Sequence, residues 1–484
     1  MDPSLSSFRA ISRLKVGLLG FAALVAIPVN GIAELIYFRG GGGVQIPART
    51  NGDQVILKLS TGDATFHRED FRAIAAGFSP EIEWPKRLES TRGKEASMRF
   101  ATAWWALENG LVHEAVSEFQ SIHRDDPKHP PCARIVAALN RLKPALNDPE
   151  DLPGFEAALG VPMTRAMGPH ILLLHQHGDA EAQERIELLE RVVSAYYVLL
   201  AGQGIELPAP RHRLVMAWLG DRADYLAFLH AEKADAFKTT RGYYHPTRNA
   251  VITYDERIAD RQRNAHQMLE IRRMKRVGSF RTSRLNETQA RLAELQLEFD
   301  RQAYELGTLT HELIHSLVAN SGLLPHHDAF PIWMHEGFSA QFEVIRGGRW
   351  MGISRANDLR LPDWRKIYPA PRLEPLIRDA GYGKGYQRDL YVQAWALVYF
   401  LRIRHPEQFL TFLDLLRTPG TIGLGADEPD TGPPLPAGQR ATLAFHRAFG
   451  DDLASLEREW HAFLNSVQTP LDRYNPELKS RSQQ

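Results

Sequence analysis

The chain has 484 residues, 44% of them hydrophobic and 24% charged, a composition typical of a folded protein of about two or three domains, which excludes a disordered chain. Its 58 basic and 58 acidic side chains give a net charge of zero, so no overall field attracts nucleic acid, which is not an expected partner. The single cysteine, Cys132, excludes an intramolecular disulfide, so stability must come from packing.

Residues 1–40 are predicted to be a signal peptide or a membrane anchor. Basic residues precede an apolar run over residues 16–28, in the order found in export signals. Small residues at 31–33 allow cleavage, whereas the apolar character that continues to Phe38 allows residues 16–38 to associate with the membrane as an anchor. Both alternatives predict an exported, periplasmic or otherwise extracytoplasmic protein, either soluble after cleavage or held by a single span.

Two small modules are predicted before the main domain. After a glycine-rich linker, the weakly alternating run Val55–Leu59 predicts a short strand in a β-rich module over residues 41–90. Residues 95–150 have helical periodicity, and four of them fall at the offsets of a tetratricopeptide hairpin, namely Gly110, Ala115, Phe119 and Pro127. One repeat is too short for the continuous core of a solenoid, which favours a helical spacer over a binding array.

The main domain is predicted to run from residue 164 to 470 with an α+β order of elements. An apolar run, a helix, a strand and a second helix come first, at about residues 171–174, 180–200, 213–219 and from 222. Residues 241–254 predict two strands joined around 245–249. The polar insertion over 257–300 has a basic cluster, which is either a solvated face or a contact for anionic lipid headgroups. A loop at 419–439, a final helix at 451–464 and a tail at 471–484 follow.

A pair of histidines in His311-Glu312-Leu313-Ile314-His315 predicts a metal site. Leucines recur at helical spacing through this segment, so it is predicted to be a helix. Histidines four apart on a helix project from one face and can both bind one Zn²⁺, while Glu312 can act as the general base that takes a proton from water. The alternative is a pair of ordinary core or surface histidines, because the motif also occurs by chance.

A third ligand is predicted in the segment Trp333-Met334-His335-Glu336-Gly337. Glu336 follows an aromatic residue and precedes a glycine, at the predicted start of a second helix. Its carboxylate completes a set of two histidines and one glutamate, which leaves one coordination position open for water or substrate. His335 is itself a possible ligand, so residue type alone leaves both assignments open.

These two motifs resemble those of gluzincin metallopeptidases of the peptidase MA type, whose second motif usually reads Trp-Leu-x-Glu-Gly-x-Ala. More narrowly, the chain is similar over about residues 165–470 to an uncharacterised family of exported bacterial proteins with a peptidase-MA-like domain. The segments that carry this resemblance are Gly242-Tyr243-Tyr244, Tyr391-Val392-Gln393-Ala394-Trp395 and Phe445–Leu456. It implies Zn²⁺ held by His311, His315 and Glu336 in a mainly helical, thermolysin-like domain with a small N-terminal β-sheet.

The resemblance also implies supporting residues. Gluzincins often use a tyrosine or histidine after the third ligand to stabilise the oxyanion; Tyr386 and Tyr391 are available, and Tyr391 matches the family segment better, although its spacing also fits a core helix face. In gluzincins an exposed edge strand before the zinc helix holds extended peptide. Here the candidate for that strand is formed by Ala250, Val251, Ile252, Thr253 and Tyr254. The alternative is that these residues form an ordinary sheet strand. Carboxylates that could orient the histidines are Glu343, Asp328 and Asp363.

The expected function is hydrolysis of a peptide or protein substrate by an exported zinc metallopeptidase, with Glu312 as general base. Two alternatives stay open. One is a non-enzymic envelope protein that binds partners through its N-terminal helices and keeps a structural zinc site, although such a site has no need of a base. The other is a zinc amidase that acts on a cell-wall cross-link. The sequence does not indicate the oligomeric state.

Overall fold

The computed structural model describes most of the chain, namely residues 33–38, 43–59, 62–256, 280–323, 330–353, 355–382, 388–418, 437–470 and 472. The predicted export signal up to residue 32, most of the basic cluster in the insertion and most of the predicted loop at 419–439 lie outside these residues. Where the structure describes the chain, it is mixed α/β and mainly helical. No helix in this part is both long and apolar enough to span a membrane.

An antiparallel five-stranded sheet begins the described chain. Its strands have the order β4-β3-β2-β1-β5 and are β1 (Ala33–Phe38), β2 (Gly43–Asn51), β3 (Gln54–Leu59), β4 (Gly62–His67) and β5 (Phe71–Ala76). Ile36, Val55 and Leu57 have no exposed surface, and they pack in one cluster with Leu292 and Leu295 of a long helix described below. Apolar burial on this helix holds the sheet to the rest of the molecule.

Strand β1 corrects the boundary of the predicted membrane anchor. Its apolar residues from Leu35 to Phe38 are buried in the sheet, where β1 pairs with β2 on one side and with β5 on the other. A short apolar run fits a strand buried on both faces as well as the end of a membrane span, and periodicity does not separate the two. The predicted span over 16–38 therefore includes six residues that belong to the folded sheet.

A block of helices follows the sheet, and its second to fourth members contribute buried side chains to the main core of the molecule. Its members are α1 (Pro80–Thr91), α2 (Ala96–Glu108), α3 (Val112–Asp125), α4 (Pro130–Leu142) and α5 (Leu152–Leu159). At the turn between α2 and α3, Gly110 lies so close to Gly352 that a Cβ on Gly352 would be 2.5 Å from the Gly110 nitrogen. The residues predicted to be a separate spacer are thus packed directly against the later part of the chain.

A second five-stranded sheet lies at the centre of the main domain. Its strand order is β6-β7-β8-β10-β9, with β7, β8 and β10 parallel and the two outer strands antiparallel. The strands are β6 (Thr164–Met167), β7 (Ile171–His175), β8 (Leu214–Leu219), β9 (Gly242–His245) and β10 (Ala250–Tyr254). Helices α6 (Asp179–Gly202) and α7 (Arg222–Ala231) connect them. Alternate strand residues pack on α6 on one face and on α5 and α7 on the other.

The strand that the sequence offered as an exposed edge is an inner strand of the sheet. Strand β10, which contains Ala250, Val251, Ile252, Thr253 and Tyr254, is an inner strand that pairs with β8 and β9, and all five of its residues are buried. A continuous apolar run is typical of a strand covered on both faces, and this run therefore indicated a central strand. The edge of the sheet is β9, residues Gly242–His245.

The remaining elements surround the centre of the domain. A helix of 41 residues, α8 (Phe280–Asn320), is followed by the short helix α9 (Ile332–Ser339) and the two-stranded pair β11 (Ile345–Arg346) and β12 (Arg349–Trp350). The last described helices are α10 (Arg360–Trp364), α11 (Leu373–Ile377), α12 (Arg388–Arg404), α13 (Pro406–Arg417), α14 (Ala437–Phe449) and α15 (Leu453–Ser466). The predicted final helix corresponds to α15.

Candidate metal centre

Helix α8 positions the two histidines of the predicted metal site. Its buried leucines, among them Leu309, Leu313 and Leu317, face the core, so the opposite stripe faces a cavity. Tyr304, His311 and His315 line that cavity, at the spacing of one helix face. The Nε2 atoms of His311 and His315 are 3.0 Å apart and point at the same place.

Glu336 of α9 completes the group. Its Oε2 atom is 3.1 Å from His311 Nε2, and its Oε1 atom is 3.7 Å from His315 Nε2. In a tetrahedral zinc site with bonds of about 2.0 to 2.1 Å, neighbouring ligand atoms lie about 3.3 Å apart. The three separations bracket that value, so these residues fit one metal ion and can hold it. Among the residues that the structure describes, this is the group of three ligands close enough to do so.

Two neighbours fix the position of α9. Asp379 accepts hydrogen bonds from the backbone N–H groups of Ile332 and Trp333 at 2.8 and 2.9 Å, which caps the start of the helix. Gly337 lies against α12, where a Cβ would be 2.4 Å from the Ala394 carbonyl oxygen. The glycine after Glu336 is therefore required by this close approach of two helices. The sequence contained the glycine signal but gave no indication of Asp379.

Glu343 supports His311 at the ring nitrogen that does not face Glu336. Its Oε1 atom is 2.7 Å from His311 Nδ1, and its carboxylate is held by Arg360 Nε at 2.6 Å and by Asn357 Nδ2 at 3.1 Å. A carboxylate at this position fixes the ring orientation and tautomer of a ligating histidine. Of the other two candidates, Asp363 pairs with Arg388 instead, and residue 328 lies outside the described residues.

The charges of the group favour a bound cation. Burial lowers the pKa of His311, but the contacts with Glu336 and Glu343 outweigh it and raise this pKa to about 10. Burial raises the pKa of Glu336, but the charges and hydrogen bonds of His315 and His311 lower it well below its usual range. Without a metal, a proton on His311 therefore offsets part of the carboxylate charge, and a divalent metal ion would take its place.

Glu312 lies beside the group at the wall formed by the edge strand. It is 8% exposed, and its carboxylate accepts a hydrogen bond from the backbone N–H of Tyr244 in β9. Burial raises its pKa above the usual value for a glutamate, although His311 and His315 oppose the shift. A raised pKa brings a carboxyl group closer to neutral pH, where it can both accept and donate a proton.

The cavity in front of the metal group is large, at about 1130 Å³. Its walls include both motifs, the edge strand β9 and the start of α12. Tyr391 lines it, as does His335, whose ring centroid is 5.9 Å from that of His315. Tyr386 lies outside the described residues. Tyr304, two helical turns before His311, was missed, although a spacing of seven residues on one helix could have indicated it.

Comparison with known proteins gives a match to one family model over part of the chain and no activity. Residues 305–419, which include both motifs, match the family model described as a protein of unknown function (DUF1570). No curated protein matches the chain. The matched segment begins in α8 and ends just after α13, so the part of the chain that resembles this family is the part that carries the metal group.

Proposed function

We propose that the protein is an exported zinc metallopeptidase of gluzincin type, with a gluzincin-like fold. The observation that carries this proposal is the group of His311, His315 and Glu336 at the wall of an open cavity, with Glu312 beside it. Two imidazoles and one carboxylate with an open position suit zinc among the common divalent metals. Structural zinc sites are usually closed by four protein ligands, so an open cavity with an adjacent base favours a catalytic role.

Each residue of the site has a separate role in peptide hydrolysis. A zinc ion held here would supply a Lewis acid that activates water and polarises the substrate carbonyl. Glu312 takes the proton of the attacking water and delivers it to the leaving amine, because it lines the cavity beside the metal group. Tyr391, on the cavity wall, donates a hydrogen bond to the oxyanion. Glu343 holds His311 in the orientation that ligation requires.

Substrate lies along β9 in this proposal. An edge strand can hold an extended peptide through backbone hydrogen bonds, and β9 is the strand next to Glu312. Close packing fixes the distance between this strand and the base, because a Cβ on Gly242 would be 3.0 Å from Glu312 Cγ. The role predicted for β10 is thus proposed for its neighbour, whose outer side faces the cavity.

The test is metal content and peptide cleavage of the purified full-length protein, compared with His311→Ala and Glu312→Gln. We expect one zinc ion per chain by elemental mass spectrometry, lost in His311→Ala but retained in Glu312→Gln, while cleavage of a quenched fluorescent peptide library disappears in both. Absence of metal in the wild type would contradict the proposal. Equal behaviour of wild type and Glu312→Gln on every peptide would show that the site is not a peptidase.

A further inference from the structure

We propose that this site is an endopeptidase that cleaves within a polypeptide next to large apolar side chains, rather than an enzyme that removes residues from a free end. The inference rests on the proposed function, because it concerns the substrate of the same site. It is carried by the charges, the exposed apolar side chains and the size of the cavity, which are considered in turn.

Three arginines that line the cavity are paired with carboxylates of the same lining. Arg241 Nε lies 2.6 Å from Glu256, Arg360 pairs with Glu343, and Arg388 pairs with Asp363. The two remaining carboxylates of the described lining residues, Glu312 and Glu336, are assigned to proton transfer and metal binding. Capture of a free amino terminus needs an available carboxylate, and the described lining offers none.

A free carboxyl terminus lacks a dedicated partner in the same way. Three of the four arginines that line the cavity are neutralised by the carboxylates just named. The fourth, Arg222, is exposed and donates a hydrogen bond from Nη2 to the Lys238 carbonyl oxygen at 2.9 Å. A carboxylate bound at such an exposed side chain gains little, because solvent screens the attraction. The described lining therefore favours a substrate whose ends lie elsewhere.

Large apolar side chains are exposed at two walls of the cavity. Phe237, 36% exposed, stacks on Tyr243 of β9 with ring centroids 3.9 Å apart. Ile332, 42% exposed, lies one helical turn before Glu336 on α9. Both line the cavity. Exposed apolar side chains at a concave surface indicate contact with an apolar ligand group, since burial of such surface is what would stabilise the complex.

The size of the cavity and the edge strand suit a stretch of extended chain. Its volume of about 1130 Å³ exceeds the range of about 300 to 1000 Å³ that is usual for small ligands. Strand β9 offers backbone groups along Gly242–His245, and pairing with them requires only a peptide backbone, not a chain end. Backbone pairing holds the substrate, and the apolar walls select its side chains.

The first experiment compares blocked and free peptides with the full-length zinc-loaded protein. A peptide with Leu-Phe at its centre and alanine elsewhere is made with free ends and with acetylated and amidated ends. We expect the same internal bond to be cleaved in both, at equal kcat/KM, as read by mass spectrometry. Cleavage confined to peptides with a free amino end or a free carboxyl end would overturn the inference while leaving the peptidase in place. If zinc is bound and neither peptide is cleaved, the proposed function itself fails.

The second experiment tests the apolar walls. Phe237→Ala and Ile332→Ala should each reduce kcat/KM for the Leu-Phe peptide about tenfold, because each removes apolar surface that the substrate would bury. A peptide with Ala-Ala at its centre should be nearly unaffected. The matched control is Leu443→Ala, an exposed leucine of α14 that does not line the cavity, which should leave both peptides unchanged. Equal losses on both peptides, or a loss in Leu443→Ala, would overturn the assignment of these walls.

Discussion

The metal affinity of the site depends on single side chains that contact its ligands. His311 lies between two carboxylates, with Glu336 at Nε2 and Glu343 at Nδ1. Glu343 is fixed in turn by Arg360 and Asn357, so His311 is held by a chain of polar contacts that extends beyond the metal ligands. Such outer contacts orient a ligand and increase its basicity, which makes them part of the metal affinity.

We expect Glu343→Gln to weaken zinc binding about 10-fold to 100-fold, because the amide keeps the shape of the side chain but loses the charge that supports His311. The control is Asp363→Asn, which removes an equivalent charge from the pair with Arg388 and leaves the ligands untouched. Zinc dissociation constants for both variants, measured by competition with a chelator, test this. Equal losses of affinity in the two variants would mean that Glu343 acts only through the overall charge of the cavity.

At the scale of elements, the contact between β9 and α8 positions the base against the substrate edge. Gly242 permits this contact, since a Cβ there would be 2.7 Å from Thr308 Cγ2 and 2.9 Å from Thr253 Cγ2. Both neighbours are short, branched side chains that cannot move aside. The spacing between strand and helix is therefore set by the absence of one methyl group.

We expect Gly242→Ala to lower the free energy of unfolding by about 1 to 3 kcal/mol, the usual cost of overpacking, and to reduce kcat/KM because β9 moves relative to Glu312. Gly154→Ala is the control. Gly154 lies in helix α5 with no atom near the added methyl group, so alanine there should be neutral or stabilising by up to about 1 kcal/mol. Urea denaturation of both variants measures these changes in stability. An unchanged unfolding midpoint for Gly242→Ala would contradict the close packing.

The positions of helices and strands along the chain were largely predictable from the sequence, but the way in which they lie beside one another was not. The helix predicted at about 180–200 is α6 (Asp179–Gly202), and the strand predicted at 213–219 is β8 (Leu214–Leu219). Both were predictable because the pattern of apolar residues in each segment fits one type of secondary structure. Likewise, the spacing of His311 and His315 was enough to place both on one helix face. The order of strands in a sheet depends on distant segments, and for that reason the sequence did not decide whether Ala250–Tyr254 was an exposed edge or an ordinary sheet strand.

At the scale of the whole molecule, α8 connects the N-terminal sheet to the metal group. Leu292 and Leu295 of this helix pack on that sheet, and His311 lies four to five turns further along. Between them, buried Glu305 bonds to Arg185 of α6 at 2.8 Å and to Arg301 at 2.7 Å. Contacts with the N-terminal sheet, with α6 and at the metal group therefore hold this helix at three places along its length.

A buried histidine links the helical block to the main sheet in addition to the shared apolar core, and stability should depend on its protonation. His170 precedes β7; its Nδ1 is 2.7 Å from Glu190 of α6, and its Nε2 is 2.6 Å from the carbonyl oxygen of Leu142 in α4. Both ring nitrogens can donate only in the charged form. Burial lowers the pKa of His170, but the Glu190 and Leu142 contacts outweigh it and raise this pKa above its usual value.

A raised folded-state pKa means that the folded protein binds this proton more tightly than the unfolded chain does. Its contribution to stability is therefore complete below the unfolded value of about 6.5 and is lost as the pH rises through the raised folded value. We expect His170→Gln to cost about 1 to 3 kcal/mol at about pH 6 and less at about pH 9. Urea denaturation of wild type and variant at both values measures the difference. His446→Gln is the control, because that histidine pairs with an exposed carboxylate at the surface and should change little at either pH. A cost for His170→Gln that stays constant with pH would show that the histidine joins the block through packing alone, without a charged ring.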